Sequence, residues 1–224
     1  MISLGDKKGV MRLLGNQDRD ALYELQEKVA QSLDDPSKLQ KLTTDEINTI
    51  IEQKLFAGVW ESEKLVAARA FLVPPPNDPE HLALDAHIPN ELWPQVIYSE
   101  ISLVDPDVQG FGLQRQMGEW WMEQLTTTPY RYVCATVAPF NIPSLKDKFS
   151  LGMHIIALKE KYGGKMRYVF LKDFQNKVEE AFFEDIPMAD IKRQQQLLKQ
   201  GYVGLALLQK DSEWVVRYSH YPIS

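Results

Sequence analysis

The nine residues Asp105-Pro106-Asp107-Val108-Gln109-Gly110-Phe111-Gly112-Leu113 are the stretch of this sequence best suited to hold a ligand. They come after the apolar run Val96–Val104 and precede Leu113, Met117, Trp120, Trp121 and Leu125, which stand at helical spacing. A strand, a glycine-bearing turn and then a helix form a phosphate-binding arrangement. The first N–H groups of a helix have no partner inside it and point at whatever lies ahead. Gly110 and Gly112 let the backbone turn and come close to a ligand. An anionic cofactor is the expected ligand. Two further places put polar side chains next to strands: Glu100 inside Val96–Val104, and Asn141 with Ser144 after Tyr130–Val137.

Positioning these residues requires a framework, and the pattern supplies one. Gly9–Leu14 reads as a short first strand. Asp18–Leu33 reads as a helix with Leu22, Leu25, Val29 and Leu33 on one stripe, ended by Asp34-Asp35-Pro36. A second helix runs from about Thr44, taken as its N-cap, with Ile47, Ile50 and Ile51 on one side. Leu55–Trp60 and Lys64–Val73 are strands of a hairpin turning at Glu61-Ser62-Glu63. Pro74–Pro94 is then a long loop with few regular signals, a length that is often functional. Val96–Val104 is the fourth strand. After the Leu113–Leu125 helix comes the fifth strand, Tyr130–Val137, and then a short helix, Asn141–Ser150, closed by Gly152. Met153–Leu158 and Met166–Leu171 are strands around Tyr162-Gly163-Gly164. The remainder, from about Gln175, differs. Pro187 opens a helix with Ile191, Leu197 and Leu198 that Gly201 ends, and Tyr202–Gln209 with Trp214–Ser219 forms a hairpin.

This order of elements, with that turn after the fourth strand, resembles the GNAT superfamily of N-acetyltransferases. Three local features carry the resemblance. Val104-Asp-Pro-Asp-Val-Gln109-Gly-Phe-Gly112-Leu-Gln114 is similar to the family's acyl-CoA signature. Val137-Ala-Pro-Phe-Asn141-Ile-Pro-Ser144 is similar to its Val-x-x-x-Asn-x-x-Ser/Ala segment, and Leu151-Gly152-Met153 to its Leu-Gly-Phe. Three features in order and at family-like spacings are far more specific than one short motif.

The resemblance implies an α/β fold: a mixed central sheet splayed between the fourth and fifth strands, with helices on both faces. It covers roughly Gly9–Phe174. Residues 1–174 are therefore expected to form the acyltransferase domain, and 175–224 a helix-plus-hairpin extension packed on it or extending it. The implied co-substrate is acetyl-CoA or another acyl-CoA. Backbone groups of Leu103 and Val104 would pair with the pantetheine arm. Amides from Gln109 through Gly110, Phe111, Gly112 and Leu113 to Gln114 would hold the pyrophosphate, and Asn141 and Ser144 would meet the arm. Glu100 is the candidate general base; its structural alternative is a sheet carboxylate paired with Arg69 or Arg131. Asn141 reads equally as a helix cap.

Two residues depart from the family pattern. Gln114 stands where Gly or Ala is usual, so its side chain must point away from the pyrophosphate. Lys148 stands where many members carry a tyrosine as general acid, and no tyrosine lies between Asn141 and Met153. The ordinary reading of Lys148 is a solvated helix residue.

The resulting functional expectation is acyl transfer from acyl-CoA, most often acetyl, to an amine of a small molecule or a peptide. Its rival is a CoA-binding or effector-sensing protein without turnover. A longer-chain acyltransferase is a third reading, with Pro74–Pro94 and Trp93 shaping a larger pocket. The C-terminal part has three uses open to it: covering the sheet edge, extending it, or building a homodimer interface.

Bulk composition narrows the partners. The 224 residues hold 25 basic and 31 acidic side chains, a formal net charge of −6, with no basic cluster, which argues against a nucleic-acid partner. No apolar run approaches a membrane span, and the N-terminal residues lack a signal-peptide core. The single Cys134 permits no internal disulfide, so the cytoplasm is the expected compartment. Cys134 itself reads as a buried strand residue. His81, His87, His154 and His220 have no metal spacing, and surface roles are expected for His81 and His87. Trp120 and Trp121 read as core.

Overall fold

The computed structural model describes residues 2–4, 7–33, 39–176 and 183–220. The chain divides into two compact units, Met1–Leu72 with Ser99–Glu123 and Val73–Tyr98 with Gln124–Ser224. The sequence boundary expected at 174/175 falls inside the second unit, and the helix stop expected at Asp34-Asp35-Pro36 lies outside the described residues.

In the first unit β1 (Ile2–Leu4), β2 (Lys7–Leu13), β3 (Phe56–Glu61), β4 (Lys64–Leu72) and the later part of β5 (Val96–Val104) are neighbours in that order. The pairs β1/β2, β2/β3 and β3/β4 are antiparallel. β1 was not anticipated; three residues are too few to show alternation. From Leu65 to Phe71 every residue of β4 is buried, as expected of a strand covered on both faces, and this run includes the charged Arg69.

Helix α1 (Arg19–Gln31) buries Leu22, Leu25 and Val29. Helix α2 (Thr44–Glu52) is capped by Thr43, one residue before the expected cap. The Thr43 hydroxyl accepts the Glu46 N–H and the Glu46 carboxylate accepts the Thr43 N–H at 2.7 Å, a reciprocal box that Thr44 could not close. Two helices of the second unit, α3 (Leu82–Asp85) and α5 (Ile142–Ser150), flank α4 (Leu113–Leu125) in the chain. Leu113 and Met117 of α4 join Ile2, Leu4, Val59, Val66 and Ala67 in one core. The remote N-terminal strand is thereby tied to the helix that comes after the glycine turn.

The second unit carries the start of β5, then β6 (Tyr132–Val137), β7 (His154–Lys161), β8 (Lys165–Asp173), β9 (Phe183–Pro187), β10 (Tyr202–Lys210) and β11 (Glu213–His220), in the order β5-β6-β8-β7-β10-β11-β9. β5 and β6 are parallel, and the other pairings of this unit are antiparallel, so the sheet is mixed as expected. Registered pairing of β5 with β6 runs from Val96↔Tyr132 to Tyr98↔Cys134 and ends there, although β5 continues to Val104 and β6 to Val137.

The stretch from Pro74 to Pro94 is more ordered than its sequence suggested. It holds α3 and a 3-10 turn over Asn90–Gln95, and Leu82, Ala83 and Ile88 are buried. His81 is buried rather than a surface residue. Its Nδ1 accepts the Ala83 N–H at 3.1 Å, and its ring stacks on Trp93 at 4.3 Å. The Tyr98 hydroxyl accepts the Leu82 N–H at 2.6 Å, and Lys161 donates to Glu80 O and Asp85. The apolar residues of this stretch keep to no period, so pattern could not reveal the packing.

Pro187 does not open a helix. It ends β9, whose partner β11 fixes it from Ser219↔Phe183 to Val215↔Pro187. Helix α6 (Ile191–Lys199) starts later, where the Asp190 carboxylate accepts the Arg193 N–H at 3.0 Å. The buried Gln194 of α6 then accepts hydrogen bonds through Oε1 from the hydroxyls of Tyr168 (2.7 Å) and Tyr218 (2.9 Å), and its Nε2 donates to Met188 O (2.9 Å). One amide thus joins β8, β11 and the end of β9. Among the described residues no helix is long and apolar enough to cross a membrane.

Candidate functional site: a glycine turn braced by buried charge

β5 delivers the chain to Asp105, and Asp105 organises the turn that leads to α4. Its N–H donates to Val66 O at 2.9 Å, which keeps it on β4. Its carboxylate accepts the Asp107 N–H at 3.0 Å and its carbonyl accepts the Val108 N–H at 3.0 Å, closing a 3-10 turn over Pro106–Val108. Pro106 supplies the fixed φ that such a turn needs at its first position. Asp105 is fully buried, and a buried carboxylate must be paired. Lys28 of α1 lies 2.7 Å from it and Lys64 of β4 lies 2.8 Å away; Lys28 also reaches Asp107 at 2.6 Å. Burial pushes the Asp105 carboxyl up, but the hydrogen bonds from Lys28 and Lys64 outweigh it and hold the group at about 2.

Beyond this brace the backbone opens. Gln109 is exposed and extended. Gly110 and Gly112 have φ of +86° and +68°, in the left-handed region, and a side chain built on either would meet nothing within 4 Å. Phe111 between them is 44% exposed. The Gln116 N–H donates to Gly112 O at 3.0 Å, the first rung of α4, so the amides ahead of it are those a helix leaves without internal partners. Leu113 is buried and Gln114 partly buried. A rim of backbone amides at a helix start, with no side chain in the way at two positions, suits the oxygens of a pyrophosphate. Leu103 is fully buried and Val104 partly so, just upstream.

One further side chain reaches this turn from inside the first unit. Arg69 of β4 is fully buried; its Nη1 donates to Gln114 O at 3.0 Å and its Nη2 to Ser99 Oγ at 3.1 Å. Sequence reading placed Arg69 only as an alternative partner for Glu100 and missed the bracing roles of Asp105, Lys28 and Lys64. A lone cation within the apolar run Leu65–Leu72 was the available signal for Arg69; the lysines lie too far away in sequence to be paired with Asp105 by pattern.

Glu100, the candidate base, lies on β5 with its side chain exposed, between the buried Ser99 and Ile101. Arg131, its other alternative partner, makes a two-pronged bond to Asp173 at 2.8 and 2.7 Å. In the second unit, Asn141 is the N-cap of α5, where its Oδ1 accepts the Ser144 N–H at 3.3 Å. Lys148 is not solvated: it is buried in α5, with Nζ 3.2 Å from Asp147. Cys134 is fully buried, and burial pushes its thiol well above the usual range, which leaves no thiolate for nucleophilic work.

No protein-family profile and no curated protein sequence matches this chain. Solved structures do. A GNAT-family acetyltransferase from Listeria monocytogenes aligns over 77% of this chain and 99% of its own, with a TM-score of 0.57 and 19% identity. A putative acetyltransferase from Salmonella typhimurium, solved with acetyl-CoA, aligns over 78% and 99% with a TM-score of 0.58 and 14% identity. An N-acetyltransferase from Thermoplasma acidophilum in complex with coenzyme A aligns over 75% and 99% with a TM-score of 0.54 and 9% identity. With the mixed sheet and the glycine turn described above, these similarities give the chain the fold of the GNAT superfamily of N-acetyltransferases.

Proposed function

We propose that this protein transfers an acyl group, acetyl in the first instance, from acyl-CoA to an amine. The carrying observation is the turn itself: two glycines at positive φ, open on their Cβ side, directly ahead of α4. In this reading the amides from Gln109 to Gln114 hold the pyrophosphate, and the backbone of Leu103 and Val104 pairs with the pantetheine arm. The neutral amine attacks the thioester carbonyl carbon, a C–N bond forms, and the C–S bond breaks to release the thiolate. Glu100, exposed on β5, takes the proton shed by the attacking nitrogen, directly or through a water. Holding both reactants in place supplies most of the acceleration. Several similar structures are named acetyltransferases, and three are described with acetyl-CoA or coenzyme A, which supports the choice of co-substrate.

Buried Lys148, where the resemblance leads one to look for a tyrosine acid, favours a second reading: a protein of this fold that binds CoA without turnover. Incubation with acetyl-CoA and a panel of small amines and N-terminal peptides, while free thiol is monitored, separates the two. Acceptor-dependent thiol release supports transfer. Tight CoA binding with no release from any acceptor sinks the catalytic reading and leaves the binding one.

A further inference from the structure

We infer that Arg69 is a positioning residue for the cofactor turn, a role that rests on the reading of that turn given above. Arg69 sits in the middle of β4, where its neighbours Val66, Ala67, Ala68, Ala70 and Phe71 are apolar and completely buried. A guanidinium in such a place costs free energy unless it is well bonded, and an apolar side chain of similar volume would fill the space at lower cost. Core filling alone therefore does not account for an arginine. What the fork does is specific. One arm ends on the carbonyl of Gln114 in the first turn of α4, the other on the hydroxyl of Ser99 in β5. Arginine presents its donors in a rigid plane, so the two bonds together fix where the helix start lies relative to β5.

An anion in front of the turn feels this arrangement in two ways. The orientation of the α4 amides is set from behind, through the backbone of Gln114, rather than by the ligand. This also bears on the family departure at 114: a bond to the main chain holds that residue whatever its side chain. In addition, a positive charge buried behind the helix start adds to the field of the helix N-terminus, and its effect is strong because the surroundings exclude water. Arg69 does not touch the co-substrate. It sharpens and strengthens the site for the phosphate portion only, so its removal should weaken CoA but not a phosphate-free fragment of the same arm.

The test compares wild type, R69K, R69M and S99A for binding of CoA by calorimetry and of pantetheine by NMR titration, with thermal midpoints recorded alongside. R69M is expected to bind CoA at least tenfold more weakly, about 1.4 kcal/mol, with pantetheine affinity within about twofold of wild type. R69K keeps the charge but not the fork and should recover part of the loss. S99A releases one arm of the fork and should cost about threefold for CoA. Equal weakening of CoA and pantetheine would mean that Arg69 merely supports the fold. If R69M does not fold, the decision falls to R69K and S99A, and wild-type CoA affinity in both overturns the inference. A wild type that binds no CoA defeats the reading of the turn and the inference with it, whereas a wild type that binds CoA beside unaffected variants defeats the inference alone.

Discussion

Glu100, an exposed carboxylate on a strand, is the residue on which the proposed proton transfer depends. Glu100→Gln keeps shape and removes the base. The expected result is a fall in kcat of about 10²- to 10⁴-fold with KM for acetyl-CoA nearly unchanged; an unchanged kcat would assign the base elsewhere. His154 allows a pH test of the second unit. Burial holds its imidazole down at about 4, with Lys172 adding to the shift and Asp173 opposing it. The ordinary histidine value is near 6.5, so between 6.5 and 4 the unfolded chain binds a proton that the folded one does not. The stabilising contribution is complete above about 6.5 and is lost as pH falls toward 4, by at most about 3 kcal/mol. His154→Gln should flatten denaturation midpoints over that window; an unchanged profile would place the acid sensitivity on other groups. Legibility at this scale was uneven. Gly110 and Gly112 declared their backbone requirement in the sequence, because few other residues accept positive φ. His81 and Lys148 did not, because burial of a polar side chain depends on packing that residue type alone does not reveal.

Among the elements, the short turn between β5 and α4 is held by charge pairs from α1 and β4 rather than by its own length. Lys28 and Lys64 neutralise the two carboxylates, Asp105 and Asp107, that would otherwise stand next to an anion site. Asp105→Ala removes the buried acceptor of the Asp107 N–H and leaves both ammonium groups without that partner. It should destabilise the protein by about 2–4 kcal/mol, read as a lower midpoint in urea; a loss under about 0.5 kcal/mol would show the brace to be dispensable. In the second unit Gln194→Leu strands two buried tyrosine hydroxyls and should cost a comparable about 2–3 kcal/mol. Strand β5 and helix α4 were readable to the residue because an unbroken apolar run and a clear stripe mark them. β9 and α3 were not, since five residues ending in a proline and a helix of only four carry too little pattern to be read.

At the scale of the molecule, the fold was legible because three spaced motifs pointed the same way as the order of elements, and solved structures share that fold. The division into units was not, since it is set by contacts that cut through β5 between Tyr98 and Ser99. Acceptor identity is read by the thiol-release panel. The central claim is that Gln109–Gln114 is a pyrophosphate clamp, and titration of coenzyme A into wild type and Gly112→Val tests it most directly. Valine at φ near +68° is strained, and its branched side chain adds bulk where the glycine leaves open space. Saturable binding by wild type, with affinity at least about tenfold weaker in a folded Gly112→Val protein, is the expected result. Absence of binding to wild type, or equal affinity in the two proteins, would contradict it.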